Sequence, residues 1–98
     1  MRTRRPTHPG EALAEIVFPA INISRQHFAR TLNISRQYLH KIMSGNAPIS
    51  ADIALRLERA IGGNANTWMN MQTAYDLWSR EQALSGQLDL VEKFDSVA

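Results

Sequence analysis

Asn22-Ile23-Ser24-Arg25-Gln26 recurs, residue for residue, as Asn33-Ile34-Ser35-Arg36-Gln37, eleven positions later. Each copy reads as the junction between two helices. Asn is one of the few residues besides glycine that enters the left-handed region where helices end. Ile anchors the turn in the core. Ser accepts a backbone N–H and starts the next helix. Arg and Gln then occupy its exposed first turn. Two helix starts this close leave room for one short helix and one tight turn. The spacing predicts a helix over 25–32 with Phe28, Ala29 and Leu32 facing inward. It predicts a second over 36–43, with Leu39 and Ile42 as its core face, ended by Ser44-Gly45-Asn46. Ala29 is small, so the second helix can approach closely. The pair is a helix-turn-helix.

Outward from this pair the periodicity stays helical. Upstream, Thr7 or His8 stands at a cap position, Pro9 suits the first helical residue, and Glu11 suits the positive helix start. Ala12, Leu13, Ile16 and Val17 follow at helical spacing. Pro19 is expected to end that helix, because the residue before a proline is pushed out of the α region. Downstream, Pro48-Ile49 leads to a cap at Ser50. Ile53, Ala54, Leu57, Ala60 and Ile61 then form an amphipathic stripe that Gly62-Gly63 stops. A fifth helix is expected from near Asn66 to about Ala83, broken by Ser85-Gly86. Its face carries Trp68, Met71, Tyr75 and Trp78, which at helical spacing reads as core or dimer surface rather than a ligand pocket. Leu88, Val91 and Phe94 suit a further helix, whereas Leu88 and Leu90 suit a short strand. The expected class is all-α, five helices, with a short C-terminal extension. The expected organisation is a flexible basic N-terminus over 1–8, a helix-turn-helix domain over 9–83 and an extension over 84–98.

Composition narrows the function classes. The chain has 98 residues, 44% of them apolar, and no cysteine. One ordinary core fits that length. The absence of cysteine excludes a disulfide scaffold, a Cys-based zinc site and a Cys nucleophile. No apolar run is long enough for a membrane helix, and Arg2, Arg4 and Arg5 precede no apolar signal segment. A cytoplasmic protein is expected, without membrane attachment. Residues 1–61 hold nine Lys/Arg and four acids, a net +5; residues 62–98 hold two and five, a net −3. A basic first part points to an anionic partner. His8, His27 and His40 lack metal-ligand spacing, and Glu11 with Glu15 reads as a solvated first-turn pair. No phosphate loop, nucleophile elbow or metalloprotease motif is present. No enzyme, cofactor or metal is therefore expected.

The candidate chemistry is DNA readout. A helix entering the major groove by its N-terminal end offers its first, second and sixth residues to base edges. Here those are Arg36, Gln37 and Lys41. Arg and Lys donate to guanine, and Gln bridges adenine. Tyr38 is placed for a thymine methyl or a phosphate, and His40 for a phosphate or solvent. Ser24, Arg25, Gln26 and Ser35 begin the two helices whose positive ends suit backbone phosphates. Asn46, in the following loop, serves either a phosphate or its own turn. Arg2, Arg4 and Arg5 are candidates for a minor-groove or phosphate-binding arm.

Residues 24–45 resemble the Cro/repressor-type helix-turn-helix, with the small Ala29, the turn residue Asn33 where many members have Gly, Ile34, and the ending Ile42-Met43-Ser44-Gly45. The flanks sharpen the likeness: His8-Pro9-Gly10-Glu11, then Pro48-Ile49-Ser50-Ala51-Asp52-Ile53-Ala54-Leu55-Arg56-Leu57, then Trp68-Met69-Asn70-Met71-Gln72-Thr73-Ala74-Tyr75-Asp76-Leu77. Over about residues 6–82 the chain resembles the HigA antitoxin family, which includes VapI-like proteins. That resemblance implies a homodimer that binds a palindromic operator in double-stranded DNA and represses its own operon. It also implies neutralisation of a HigB/RelE-like mRNA-cutting toxin. Leu77, Trp78, Leu88 and Leu90 are the candidate dimer residues. Two other readings are a stand-alone transcriptional regulator and an interaction module that no longer binds DNA.

Overall fold

The computed structural model describes residues 2–94. Among them lie five helices and no strand. α1 covers 9–21 in three joined segments: an α turn Pro9–Ala12, a π turn Leu13–Val17 and an α turn Phe18–Ile21. α2 is Arg25–Leu32, α3 is Arg36–Met43, α4 is Ala51–Ile61 and α5 is Ala65–Leu88.

The repeated pentapeptide builds what its chemistry dictates. Asn22 and Asn33 are left-handed, with φ of 59° and 57°. Ser24 Oγ accepts from His27 N–H and Ser35 Oγ from Tyr38 N–H, both at 3.0 Å. At the end of α2, Ile34 N–H donates to the Ala29 carbonyl and Asn33 N–H to that of Arg30, a Schellman closure. The residues expected to face inward do so: Phe28, Ala29, Leu32, Leu39 and Ile42 are all buried. Leu13, Met43, Ile49, Ile53, Ala54, Leu57 and Trp68 complete the core, while Ile23 and Ile34 pack against it half-buried. Each fully buried large side chain contributes roughly 1.5–3 kcal/mol.

Two expected helix ends are corrected. Pro19 does not end α1. Just before it the register widens, so that Phe18 N–H reaches back five residues to the Leu13 carbonyl. The π turn carries the chain past a residue with no N–H to give. The same turn changes which side chains face inward. Leu13 and Phe18, five apart, meet the core, whereas Ile16 is 71% exposed despite its helical spacing. Nor do Ser85 and Gly86 break the last helix; it runs to Leu88. Their low propensity costs only about 1 kcal/mol in a long helix and forces no turn. The first residues of the expected extension are thus helical, and residues 95–98 lie outside the described part.

α2 and α3 cross at the turn, α4 packs on α2, and the start of α5 packs on α4. The N-terminus of α1 sits against α3 and α5. α5 has 24 residues, about 36 Å of helix, and only its first half has a body to lie on. The molecule therefore measures 54 × 22 × 21 Å, with a radius of gyration of 16.7 Å against about 13 Å for a compact domain of this length. No helix among the described residues is long and apolar enough to cross a membrane.

Candidate nucleic-acid interface

α3 has two faces. Leu39, Ile42 and Met43 are buried, while Arg36, Gln37, Tyr38, His40 and Lys41 are all exposed. Its buried face fixes its rotation, so the remaining side chains must project outward together. An open groove of about 420 Å³ runs between the starts of α2 and α3, lined by Arg25, Arg36, Gln37, Leu39 and His40. Ser24, Arg25, Gln26, Ser35 and Asn46 are exposed as well. The structure thus gathers Arg25, Arg36, Gln37 and His40 along one groove and Gln26, Ser35 and Arg36 along a second, whereas Asn46 borders a third with His8 and Gln72.

Several of these residues are held in place by the body. The two cap hydroxyls accept backbone bonds, which leaves each O–H free to donate outward. Arg25 lies over the Phe18 ring, 5.6 Å from guanidinium carbon to ring centre, and its Nη1 is 3.6 Å from Met43 Sδ. Asn46 Nδ2 donates to Ser44 Oγ, and both Asn46 N–H and Ala47 N–H donate to the Lys41 carbonyl. The loop after α3 is therefore tied back onto α3 itself.

Residues singled out for other roles fall elsewhere. Leu77, Leu88 and Leu90 are exposed along α5 and its exit, while Trp78 is half-buried. Trp68 belongs to the core; Met71 and Tyr75 are half-buried on the same helix. Two of the three N-terminal arginines are paired. Arg2 pairs with Glu81 at 3.1 Å and Arg5 with Glu11 at 2.7 Å, because two carboxylates lie within their reach. Through these contacts Arg2 lies against α5 and Arg5 against α1. Arg5 holds the Glu11 carboxyl below its usual range.

Three positioning residues, Arg56, Gln72 and Gly10, escaped the sequence reading, and a fourth, His8, stands in it only as one of two cap candidates. Arg56 Nη1 donates to the Leu32 and Asn33 carbonyls at 3.0 and 2.8 Å, satisfying the free end of α2 at the turn. Buried Gln72 accepts the Ile49 N–H on Oε1 at 2.7 Å and donates to Asp76 at 2.9 Å. It thereby links α5 to the loop that follows α3. Its signal was a polar residue four after Trp68 on an otherwise apolar stripe. Gly10 lies so close to α3 that a Cβ there would fall 1.8 Å from the Ile42 carbonyl oxygen. A glycine inside a helix start, with its poor propensity, was the available sign. His8 is buried, caps α1 by accepting Gly10 N–H on Nδ1 at 2.9 Å, and meets Tyr75 edge-on at 4.8 Å. Burial pushes its pKa down, so the neutral ring that the cap requires is also the favoured one.

Comparison with known proteins places this geometry. The chain matches the helix-turn-helix family over residues 20–67. It is 44% identical over 75 residues to virulence-associated protein I of Dichelobacter nodosus, covering 76% of this chain and 69% of that protein. The fold is similar to that of the Pseudomonas aeruginosa antitoxin HigA solved with the higBA promoter: TM-score 0.83, 35% identity, 91% of this chain and 97% of that one. It is also similar to antitoxin GraA in complex with its operator: TM-score 0.86, 32% identity, 96% of each chain. With its Cro/repressor-type helix pair and its match along nearly the whole length of those structures, the chain belongs to the HigA antitoxin family of helix-turn-helix DNA-binding regulators.

Proposed function

We propose that this chain is the antitoxin of a type II toxin–antitoxin pair, and that it represses its own operon by binding a palindromic operator as a homodimer. The observation that carries the DNA reading is the divided surface of α3. Arg36, Gln37 and Lys41 are exposed on a helix whose rotation is fixed by buried Leu39, Ile42 and Met43. In this reading Arg36, Gln37 and Lys41 read bases, with Tyr38 and His40 beside them. Ser24, Arg25, Gln26, Ser35 and Asn46 hold phosphates. One such helix reads only a few base pairs. Two copies set about 34–36 Å apart on a palindrome give the remaining specificity. Leu77, Trp78 and Leu88 on the projecting α5, with Leu90 just past its end, are the surface proposed for pairing, since the three leucines are large apolar groups left exposed.

The toxin partner is a HigB/RelE-like ribonuclease. A surface that holds RNA is basic, and residues 62–98 carry a net charge of −3. The test has two parts. Binding to matched and shuffled operators is measured at several salt concentrations. Arg36→Ala and Gln37→Ala are expected to lose about 1–3 kcal/mol each on the matched site, and Arg25→Ala to weaken all sequences evenly and flatten the salt slope. Operator binding by Arg36→Ala equal to that of the unaltered chain overturns the readout. The adjacent gene is then expressed alone and with this chain, scoring growth and co-purification. A harmless neighbour, or toxicity that persists beside abundant folded protein, leaves a stand-alone regulator.

A further inference from the structure

Residues 2–5 lie in a cradle built by α1 and α5. The Arg2 backbone N–H donates to Glu81 Oε1 at 2.7 Å and its Nη1 to Glu81 Oε2 at 3.1 Å. Gln82 Nε2 donates to the Arg2 carbonyl at 3.1 Å. Three residues on, Arg5 Nη2 donates to Glu11 Oε1 at 2.7 Å, and its guanidinium lies 5.2 Å from the centre of the Tyr75 ring. The cradle thus reads the main chain of Arg2 through one donor and one acceptor, and two arginines through two carboxylates and a ring face.

The occupant is loosely held. The side chains of Arg2 and Arg5 remain 53% and 49% exposed, and pairs so open to water are individually weak. Beside the cradle, Trp78 packs on Tyr75 with ring centres 6.0 Å apart. Its Nε1 is shut off from solvent and has no acceptor among the described residues, so a donor next to this segment stays unmet.

We propose that this cradle is a docking site for an arginine-bearing segment of a basic protein partner, and that residues 2–5 are an internal occupant which the partner displaces. That the partner is the toxin rests on the antitoxin reading above; the docking itself does not. A tethered segment acts at an effective concentration in the millimolar range, so it is an effective competitor despite its weak contacts.

The probe is a synthetic peptide of residues 1–7, Met-Arg-Thr-Arg-Arg-Pro-Thr. It is titrated into the isotope-labelled full chain and into the full chain carrying Arg2→Ala with Arg5→Ala, followed by amide shifts. The double variant is expected to give saturable shifts over residues 75–82 and at Glu11. The unaltered chain needs at least about fivefold more peptide, because its own segment competes. Adding Glu81→Gln to the double variant abolishes the shifts, and a peptide with lysine for each arginine binds several-fold less tightly. Equal binding to both chains overturns the internal occupant. Absent or scattered shifts, indifference to Glu81→Gln, or equal binding of the lysine peptide overturns the site. With the toxin itself, the double variant binds more tightly than the unaltered chain. A neighbour that proves harmless removes the toxin as partner while the peptide result stands separately.

Discussion

α2 and α3 share sixteen residues, eight each, while α5 has twenty-four in one piece. The short pair is the more constrained of the two. Each of its helices has a serine cap, each is entered from a left-handed Asn, and each buries three residues. Arg56 closes the end of α2 and the tied loop closes that of α3. α5 buries only Trp68 and Gln72 and projects beyond the body. Order in the helix pair comes from ends that are satisfied locally. Order in α5 comes from its base, and its far half offers surface. A molecule that must present fixed side chains to one partner and an open face to another is served by such a division.

The comparison breaks first in the core of the helix pair. Phe28→Ala is expected to lose about 3–5 kcal/mol in denaturant unfolding, whereas Leu88→Ala at low protein concentration stays within about 0.5 kcal/mol. Equal losses would mean that the far end of α5 is packed as firmly as the core. Gln72→Leu tests the hydrogen bond that ties α5 to the loop after α3. It leaves the Ile49 N–H buried without a partner, and a loss of about 1–3 kcal/mol is expected by the same assay. An unchanged midpoint would show that the loop needs no support from α5.

Next comes the repeated turn. Asn33→Ala keeps a left-handed backbone with an unsuited residue and is expected to cost about 1–2 kcal/mol, while Asn33→Gly is nearly neutral. Equal effects of the two would dissociate the repeat from its backbone. The smallest effect is at His8. Its pKa is lowered by burial from an ordinary 6.5, so between the lowered value and 6.5 the unfolded chain binds the proton and the folded one does not. Stability is full above 6.5, falls as pH drops through it, and levels off below the folded value. Glu11, also lowered, adds a further loss at more acid pH. His8→Asn retains a cap and should flatten the melting-temperature slope between pH 7 and 5. An unchanged slope places the titration elsewhere.

The same division governs what the sequence made legible. Caps, left-handed Asn residues and inward apolar positions act within a few residues of each other, so Ser24 through Gly45 could be read almost to the residue. Arg56, Gln72 and Gly10 act across 23, 23 and 32 positions respectively, and nothing in local periodicity names their partners. The extent of α5 was misjudged because Ser85 and Gly86 only weaken a helix, while no competing contact exists to end it. The exposed face of α3 followed from its buried one. The placement of Arg2 did not, since its acceptor Glu81 lies 79 residues away.

The π turn in α1 also bears on chain length. In a plain α-helix, residues four apart share a face, yet Leu13 and Phe18 are separated by five and both meet the core. The wide turn absorbs one residue without rephasing what lies on either side. Removing one position between them would let an unbroken α-helix make the same two contacts. Within α1, a single deletion between Leu13 and Phe18 would therefore leave those two core contacts in register.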